Sequence, residues 1–253
     1  MLLPGPLLDA IRFLTVLRVP DGEAMAPDWL ARAMKYFPVV GAGIGLVSAA
    51  VLMIANEFWS PSIAALLAVI ASIVLTSALH EDGLADTADS FDGGWTIEKR
   101  LAIMKDSRIG TFGALALGIG VALRVAAVAD MPMWAGPAAL VAAHAAARAA
   151  PAFVMNHLRY AGDTAAMKAS YAEAPVRSEE LWFALIAATL AALPLMLVSL
   201  TAVVVGMLGG AVLAFALARW SRRLIGGYTG DVLGAIEQVF EIGFLLGVVA
   251  AMS

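Results

Sequence analysis

The chain has 253 residues, of which 62% are hydrophobic and 14% are charged, and its formal net charge is −4. Soluble domains are about 45–50% apolar and about 25% charged, so this composition, with a mean hydropathy of +0.88, indicates an integral membrane protein. The net negative charge does not indicate nucleic-acid binding, and the lack of cysteine excludes disulfides, thiolate nucleophiles and cysteine-ligated metal centres.

The predicted elements are all helices. The chain opens with apolar residues at helical spacing (Leu7, Ile11, Leu14 and Leu17) and lacks the pattern of a signal peptide, so we predict an N-terminal amphipathic helix on the membrane interface. Seven apolar runs follow, and a bilayer crossing needs about 20 such residues. The predicted spans are residues 37–56, 58–79, 110–129, 133–155, 181–199, 202–218 and 232–252. The expected fold is therefore an all-α integral membrane protein, with about seven transmembrane helices in one polytopic domain over residues 1–253.

The distribution of basic residues predicts the orientation. Of the 16 Lys and Arg residues, 14 lie in the N-terminal segment or in the three polar loops that follow the second, fourth and sixth spans. None lies in the short connections around Glu57, Asp130 and Ser199. Because Lys and Arg concentrate on the cytoplasmic side, the N-terminus and all three polar loops are predicted to be cytoplasmic.

The polar stretch between the second and third spans begins with an acidic motif. Asp82, Asp86 and Asp89 stand at positions i, i+4 and i+7, which places their carboxylates on one face of a helix. Clusters of carboxylate oxygens suit Mg²⁺, so the three aspartates are candidate metal ligands. Asp92 lies near the same face, but the helix is predicted to end soon after it, and its role stays open.

Basic residues follow the acids in the same stretch. Lys105 and Arg108 are candidate phosphate ligands, because acids beside cations at a membrane surface suit a metal-bridged phosphate. Their alternative role is a positive anchor for the third span, and the whole stretch is alternatively a solvated loop. His80 directly precedes the acids and is either a base, metal ligand or hydrogen-bond donor, or a structural histidine.

Two arginines lie within predicted spans, where a charge is costly. Arg124 is near the middle of the third span, and Arg148 follows His144 by one helical turn in the fourth. Glu237 and Glu241, also one turn apart, are their natural ion-pair partners in the last span. Both arginines are expected to face a polar cavity or such a partner, and structural ion pairing is the alternative to a functional role.

A glycine-rich turn, GGYTGD at Gly226 to Asp231, leads into the last span. The backbone N–H groups of such a turn can bind phosphate, with Arg222 adding charge. Turns also use glycine for positive φ alone, so the motif by itself is not specific. Asp231 and Glu241 are further candidates to add a ligand or to orient a base.

These segments resemble the cobalamin synthase family, the adenosylcobinamide-GDP ribazoletransferases. The resemblance covers nearly the whole chain, and its long central motif is specific. The matching segments are FLTVLRVP at 13–20, YFPVVGAGIG at 36–45, HEDGLADTAD at 80–89, RLAIMKDSRIGTFG at 100–113, RAAP at 148–151 and GGYTGDVLGAIEQVFE at 226–241. The chain departs from the pattern at Ser90, where the family is expected to favour glycine, and at Asp92, onto which no role is carried over.

The resemblance implies a Mg²⁺-dependent, phosphotransferase-type enzyme in the inner membrane of a cobalamin-producing bacterium. It implies that α-ribazole or its 5′-phosphate is joined to adenosylcobinamide-GDP, which releases GMP and gives adenosylcobalamin or its phosphate. Both substrates and the lipid bilayer are the expected partners. Homo-oligomers and association with other cobalamin-assembly enzymes stay open.

With these substrates, the residues singled out above take definite roles. The expected metal ligands are Asp82, Asp86 and Asp89, and either Asp89 or His80 is expected to take the proton of the ribazole hydroxyl. Lys105, Arg108 and Arg148 are expected to hold phosphate. The remaining substrate-binding candidates are Arg222, Asp231 and Glu241.

Two other functions compete with this one. A CDP-alcohol phosphotransferase also uses an aspartate-rich membrane motif, but its D-x-x-D-G-x-x-A-R pattern is absent here. A cation-coupled transporter would line a pathway with intramembrane acids and arginines. The acids of this chain are instead predicted at the cytoplasmic mouth, and there is no inverted-repeat signal.

Overall fold

The computed structural model describes residues 4–20, 28–162 and 176–253. Its helices are α1 (Gly5–Leu14), α2 (Trp29–Met34), α3 (Phe37–Asn56), α4 (Pro61–Leu75), α5 (Leu79–Gly93), α6 (Ile97–Met104), α7 (Thr111–Asp130), α8 (Gly136–His157), α9 (Ser178–Val198), α10 (Leu200–Ile225) and α11 (Gly230–Met252). The second predicted polar loop, 156–180, lies partly outside the described residues. Among the described residues, extended pairing is limited to an isolated bridge between Tyr160 and Tyr228.

Six of these helices are long and apolar enough to cross a membrane, namely α3, α7, α8, α9, α10 and α11. A seventh crossing exists if the bent pair α4 and α5 counts as one span. The predicted all-α, multi-pass membrane fold is therefore confirmed. The boundaries differ most at α10, which continues to Ile225, and at the second predicted span, where α4 already ends at Leu75.

The break after α4 is a sharp bend. The axes of α4 and α5 differ by 90°, and Ser77 and Ala78 both have left-handed backbone angles, with φ of 53° and 55°. The Thr76 hydroxyl donates to the carbonyl of Ser72 at 3.0 Å, and the Ala78 amide donates to the carbonyl of Ile73 at 2.9 Å. A left-handed residue other than glycine costs about 1–2 kcal/mol. The backbone is therefore strained at Ser77 and Ala78, where the chain turns from the axis of α4 to that of the acidic helix α5.

Substitutions at Ala78 should report this strain. We expect Ala78→Val to lower the free energy of unfolding by about 2 kcal/mol, because a β-branched side chain fits the left-handed region poorly. Ala78→Gly should stay within about 1 kcal/mol of wild type, since glycine adopts this conformation freely. Thermal unfolding of the detergent-solubilised variants measures both, and equal melting temperatures for the two would contradict a left-handed residue here.

Helix α11 is the centre of the helical bundle, in contact with α5, α7, α8 and α10. Its packing against α10 depends on glycine. A Cβ added at Gly209 would overlap the carbonyl oxygen of Gly243, and one added at Gly247 would lie 2.5 Å from the carbonyl oxygen of Val205. Small residues allow membrane helices to approach this closely. The close approach fixes α11, which carries several of the candidate functional side chains.

Exposed tryptophans mark the two ends of the bundle. Trp59 and Trp134 lie in the connections after α3 and α7, with 52% and 64% of their surface exposed. Trp95 and Trp182 lie next to the polar loops at the opposite end, with 92% and 65% exposed. Tryptophan is enriched where a helix leaves the hydrocarbon core. Trp95 stands two residues after the last residue of α5, so that end of the acidic helix lies at the same side of the bundle as the polar loops.

Candidate active site

The acidic face of α5 meets the start of α11. Asp82 is exposed, whereas Asp86 and Asp89 are half-buried. Asp86 is within electrostatic range of Asp82, Asp89 and also Asp231, which stands in the first turn of α11. The two helices touch at Gly83, where an added Cβ would lie 2.7 Å from the carbonyl oxygen of Asp231. The fold thus brings Asp231 from a distant part of the sequence to the acidic helix.

Among the described residues, Asp89, unlike Asp82 and Asp86, is held by hydrogen bonds to the backbone of another helix. Its Oδ2 accepts the backbone N–H of Gly110 at 2.7 Å, and its Oδ1 accepts the N–H of Gly113 at 2.8 Å. Both oxygens therefore bind the start of α7. A carboxylate at a helix N-terminus is favourable because it faces the positive end of the helix dipole.

The donor atoms in this region fit a hard divalent cation. Asp82, Asp86 and Asp231 gather negative charge, and none of them takes part in an ion pair among the described residues. In the described part of the chain, no three His, Asp or Glu side chains already converge as a metal site. Mg²⁺ is usually bound through one or two carboxylates together with substrate phosphates. Carboxylates without cationic partners therefore fit Mg²⁺ even though no complete ligand set is formed in advance.

Lys105 and Arg108, the two predicted phosphate ligands that follow the acids, lie exposed in the loop between α6 and α7. Arg108 contacts Asp106 through two side-chain nitrogens, with Nε 3.0 Å from Oδ1 and Nη2 2.6 Å from Oδ2. These hydrogen bonds lower the pKa of Asp106 to about 2. Lys105 lies in the same loop and faces solvent. The loop therefore presents positive charge at the surface, with the direction of Arg108 set by Asp106.

Arg148, in contrast, belongs to a buried ionic network. Its Nη1 lies 2.9 Å from Oε1 of Glu237, and Oε2 of the same glutamate lies 3.1 Å from Nδ1 of His80. Arg148 Nη1 also donates to the carbonyl of His144 at 3.0 Å. Glu237 therefore holds a histidine with one oxygen and an arginine with the other.

The network continues one helical turn further along α11, at Glu241. Arg124 lies 2.9 Å from Glu241 through Nε and 2.8 Å from Glu81 through Nη1, and His144 Nδ1 lies 3.0 Å from Glu241. Gln238 accepts from Arg124 at 3.1 Å. The predicted pairing of the intramembrane arginines with the two glutamates of α11 is confirmed. Glu81 is a further partner of Arg124 that the sequence pattern does not predict.

The enclosed charges of this network do not cancel. It contains three glutamates and two arginines, all buried. A buried charge without a counter-charge is costly. A neutral network therefore requires one further proton, held by a glutamate or by one of the two histidines.

We call Asp82, Asp86 and Asp231 the acidic cluster. A cavity of about 140 Å³ lies between the buried ionic network and this cluster. Its polar wall is formed by His80, Asp82, Arg148, Asp231 and Glu237. Its apolar wall includes Phe13 and Leu14 of α1 and Leu30 and Met34 of α2. Helix α1 thus forms where an amphipathic helix was predicted and packs part of its apolar face on the protein, while its place on the membrane interface stays a prediction. Glu241 does not line the cavity.

The glycine-rich turn uses several of its own amides. Gly226 has a φ of 81°, its N–H donates to the carbonyl of Arg222, and the N–H of Tyr228 donates to the carbonyl of Arg159. Arg159 Nε in turn donates to the carbonyl of Gly226 at 3.2 Å. Arg222 itself is exposed. A phosphate site at this turn remains a prediction. Arg159, which no sequence pattern indicates, braces the turn through these hydrogen bonds.

Comparison with known protein families gives one match over most of the chain. The family model described as Cobalamin-5-phosphate synthase matches residues 6–249. This range includes α5, the loop after α6 and the start of α11, and therefore the whole cavity wall. No solved structure matches the chain.

Curated relatives are similar over nearly their full length and carry the name adenosylcobinamide-GDP ribazoletransferase. The protein from Azorhizobium caulinodans is 45% identical over 251 residues, which cover 94% of this chain and 93% of the relative. The protein from Leptothrix cholodnii is 38% identical, with 96% and 94% covered. The protein from Bradyrhizobium diazoefficiens is 42% identical, with 94% and 90% covered.

Proposed function

The chain belongs to the cobalamin-5-phosphate synthase family, and from this membership we propose that it joins α-ribazole or its 5′-phosphate to adenosylcobinamide-GDP with release of GMP. The observation that carries the proposal is the match over residues 6–249, which includes the acidic helix and the cavity beside it. The product is adenosylcobalamin or its 5′-phosphate, so the enzyme joins the two large parts of the cofactor.

The acidic cluster is the proposed Mg²⁺ site. Asp82 and Asp86 hold the cation, and Asp231 adds a third carboxylate from α11. When bound, Mg²⁺ neutralises charge on the diphosphate oxygens. Asp89, also predicted as a ligand, already places both oxygens on the amides of α7. We therefore assign the metal to the other three acids.

The proposed reaction is a displacement at phosphorus. A hydroxyl oxygen of α-ribazole attacks the phosphorus that bears the cobinamide and forms a new P–O bond. The bond from that phosphorus to the oxygen of GMP breaks, and GMP leaves with the electron pair. Such transfers depend mainly on positioning and on neutralising the charge of the phosphate oxygens. Lys105 and Arg108 supply exposed positive charge for that purpose.

His80 is the better of the two candidate proton acceptors. It lines the cavity beside Asp82, and its Nδ1 is held 3.1 Å from Glu237. A carboxylate on one ring nitrogen orients an imidazole so that the other nitrogen can accept a proton. Both oxygens of Asp89 already accept backbone N–H groups at the start of α7, so Asp89 is the weaker candidate. Arg148 pairs with the same glutamate, so we assign it to support of His80 rather than to the phosphate clamp.

We also propose a bacterial inner-membrane location with the polar loops in the cytoplasm. Fourteen of the 16 basic residues lie on that side of the predicted topology. Water-soluble α-ribazole then reaches the site from the cytoplasm. The amphipathic corrinoid can approach along the membrane surface.

GMP release tests the proposed function. Detergent-solubilised protein should release GMP from adenosylcobinamide-GDP only when α-ribazole or its phosphate is added, and excess EDTA should lower the rate by at least about 100-fold, because loss of the metal removes several kcal/mol of charge stabilisation. Re-addition of Mg²⁺ should restore it. Release without ribazole would indicate a hydrolase instead, and no release from folded protein with any divalent cation would favour the transporter.

A further inference from the structure

Asp89 caps helix α7 from outside that helix. The N-cap residue of α7 is Gly110, which has no side-chain oxygen. Asp89 accepts the N–H of this N-cap residue and the N–H of Gly113, three residues later. These are the two amides that a capping box satisfies with its own side chains. One carboxylate from α5 replaces both of those side chains.

The two glycines are needed for space and not for backbone conformation. Gly110 has φ of −97° and ψ of −176°, which any residue adopts. The three atoms nearest to a Cβ added at Gly110 all belong to the Asp89 carboxylate, and a Cβ at Gly113 would overlap the same group. The sequence therefore leaves room at both positions for a side chain that arrives from another helix.

The capped segment is the end of the basic loop. Residues 105–110 connect α6 to α7 and carry the exposed side chains of Lys105 and Arg108. At the other end of the loop, Met104 is buried and its sulfur lies 3.5 Å from Thr229 Oγ1. Within the loop, Asp106 holds Arg108. With one end buried and the interior braced, Asp89 supplies the contact that ties the loop to the acidic helix.

We propose that Asp89 is a positioning residue that holds the basic loop beside the metal-binding acids, so that Lys105 and Arg108 meet the phosphates of the substrate. This inference rests on the proposed function. It assigns Asp89 a role distinct from that of Asp82 and Asp86, although the three share one helical face. Loss of the contact should weaken substrate binding and leave the affinity for the metal unchanged.

Two variants test the role from its two sides. Asp89→Asn retains one acceptor oxygen and turns an NH₂ group toward the second amide, and Gly110→Ala leaves Asp89 intact but places a Cβ where its carboxylate lies. Both should raise KM for adenosylcobinamide-GDP by about tenfold, the effect of losing one well-placed polar contact. The Mg²⁺ concentration for half-maximal activity should change less than twofold. Asp92→Asn, an exposed acid on the same helix, is the matched control and should retain wild-type values.

Limited trypsin digestion supplies a readout that needs no activity. In both variants cleavage after Lys105 and Arg108 should be at least about fivefold faster than in wild type, because opening of an exposed loop controls its cleavage. Asp92→Asn should be cleaved at the wild-type rate. A rise in half-saturating Mg²⁺ with unchanged cleavage would make Asp89 a metal ligand and overturn the proposal. Faster cleavage with an unchanged KM would show that Asp89 only caps α7 and does not position the basic loop, and would also overturn the proposal. If the wild-type protein released no GMP, the proposed function would fail while cleavage still reported on the contact.

Discussion

Replacing Asp82 with asparagine is expected to lower GMP release by at least about 100-fold, because the exposed carboxylate of α5 nearest the cavity would lose its charge. Asp82 lines the cavity together with His80 and Asp231. A barrier increase of about 3 kcal/mol corresponds to this loss. On the proposed function, removal of one carboxylate from a metal-bridged diphosphate site has an effect of that order. Single-turnover assays at saturating substrate measure it.

The Mg²⁺ dependence of Asp82→Asn separates a ligand from a general electrostatic effect. The half-saturating Mg²⁺ concentration should rise, and high Mg²⁺ should restore part of the activity. Asp92→Asn removes an equal charge from the same helix at an exposed position and should stay within about twofold of wild type. Equal losses in the two variants would show that only the net charge of the helix matters.

Replacing Arg124 with leucine should be the most destabilising of the substitutions considered. Arg124 is 2% exposed and binds Glu81 and Glu241 at 2.8 and 2.9 Å. Without it, two glutamates lose their shared cation inside the membrane domain. Removal of one partner from a buried ion pair costs about 3–5 kcal/mol. Denaturant unfolding in detergent, followed by far-UV circular dichroism, measures the loss.

An exposed arginine gives the comparison for Arg124. Arg223→Leu removes the same charge from the surface end of α10 and should change the free energy of unfolding by no more than about 0.5 kcal/mol. The double variant Arg124→Leu with Glu241→Leu removes a cation and an anion together and should recover part of the stability. Wild-type stability in Arg124→Leu alone would mean that the glutamates are neutral without it.

The length of the uncharged runs is sufficient to predict the spans. The energetic cost of a buried arginine is sufficient to predict the ion pairs within the membrane. An uncharged run of about 20 residues satisfies its backbone only as a helix in lipid, and α3 begins and ends where its run does, at Phe37 and Asn56. An arginine inside such a run must find a partner. Glu237 and Glu241 were the acids of the last span, and the structure pairs them with Arg148 and Arg124.

The sequence pattern does not predict contacts between segments that are far apart in the chain. The bend at Ser77 and Ala78 involves no glycine or proline, so no local signal marks it. The spacing of the acids places Asp89 on one face with Asp82, but the amides that bind Asp89 come from the start of α7, more than 20 residues later. The packing of Phe13 against the cavity likewise depends on how α1 folds back on the bundle.

The shortness of α4 has a consequence for how water and lipid meet at this enzyme. Its 15 residues, at about 1.5 Å each, reach about 22 Å, whereas the hydrocarbon layer is about 30 Å thick. Because the chain turns by 90° there, α4 alone does not reach across that layer, and we expect local thinning of the bilayer to match the short helix. On this expectation the acidic helix borders a hydrated depression in the membrane surface. On the proposed function, a hydrophilic nucleoside and a partly greasy corrinoid meet there without either crossing the bilayer.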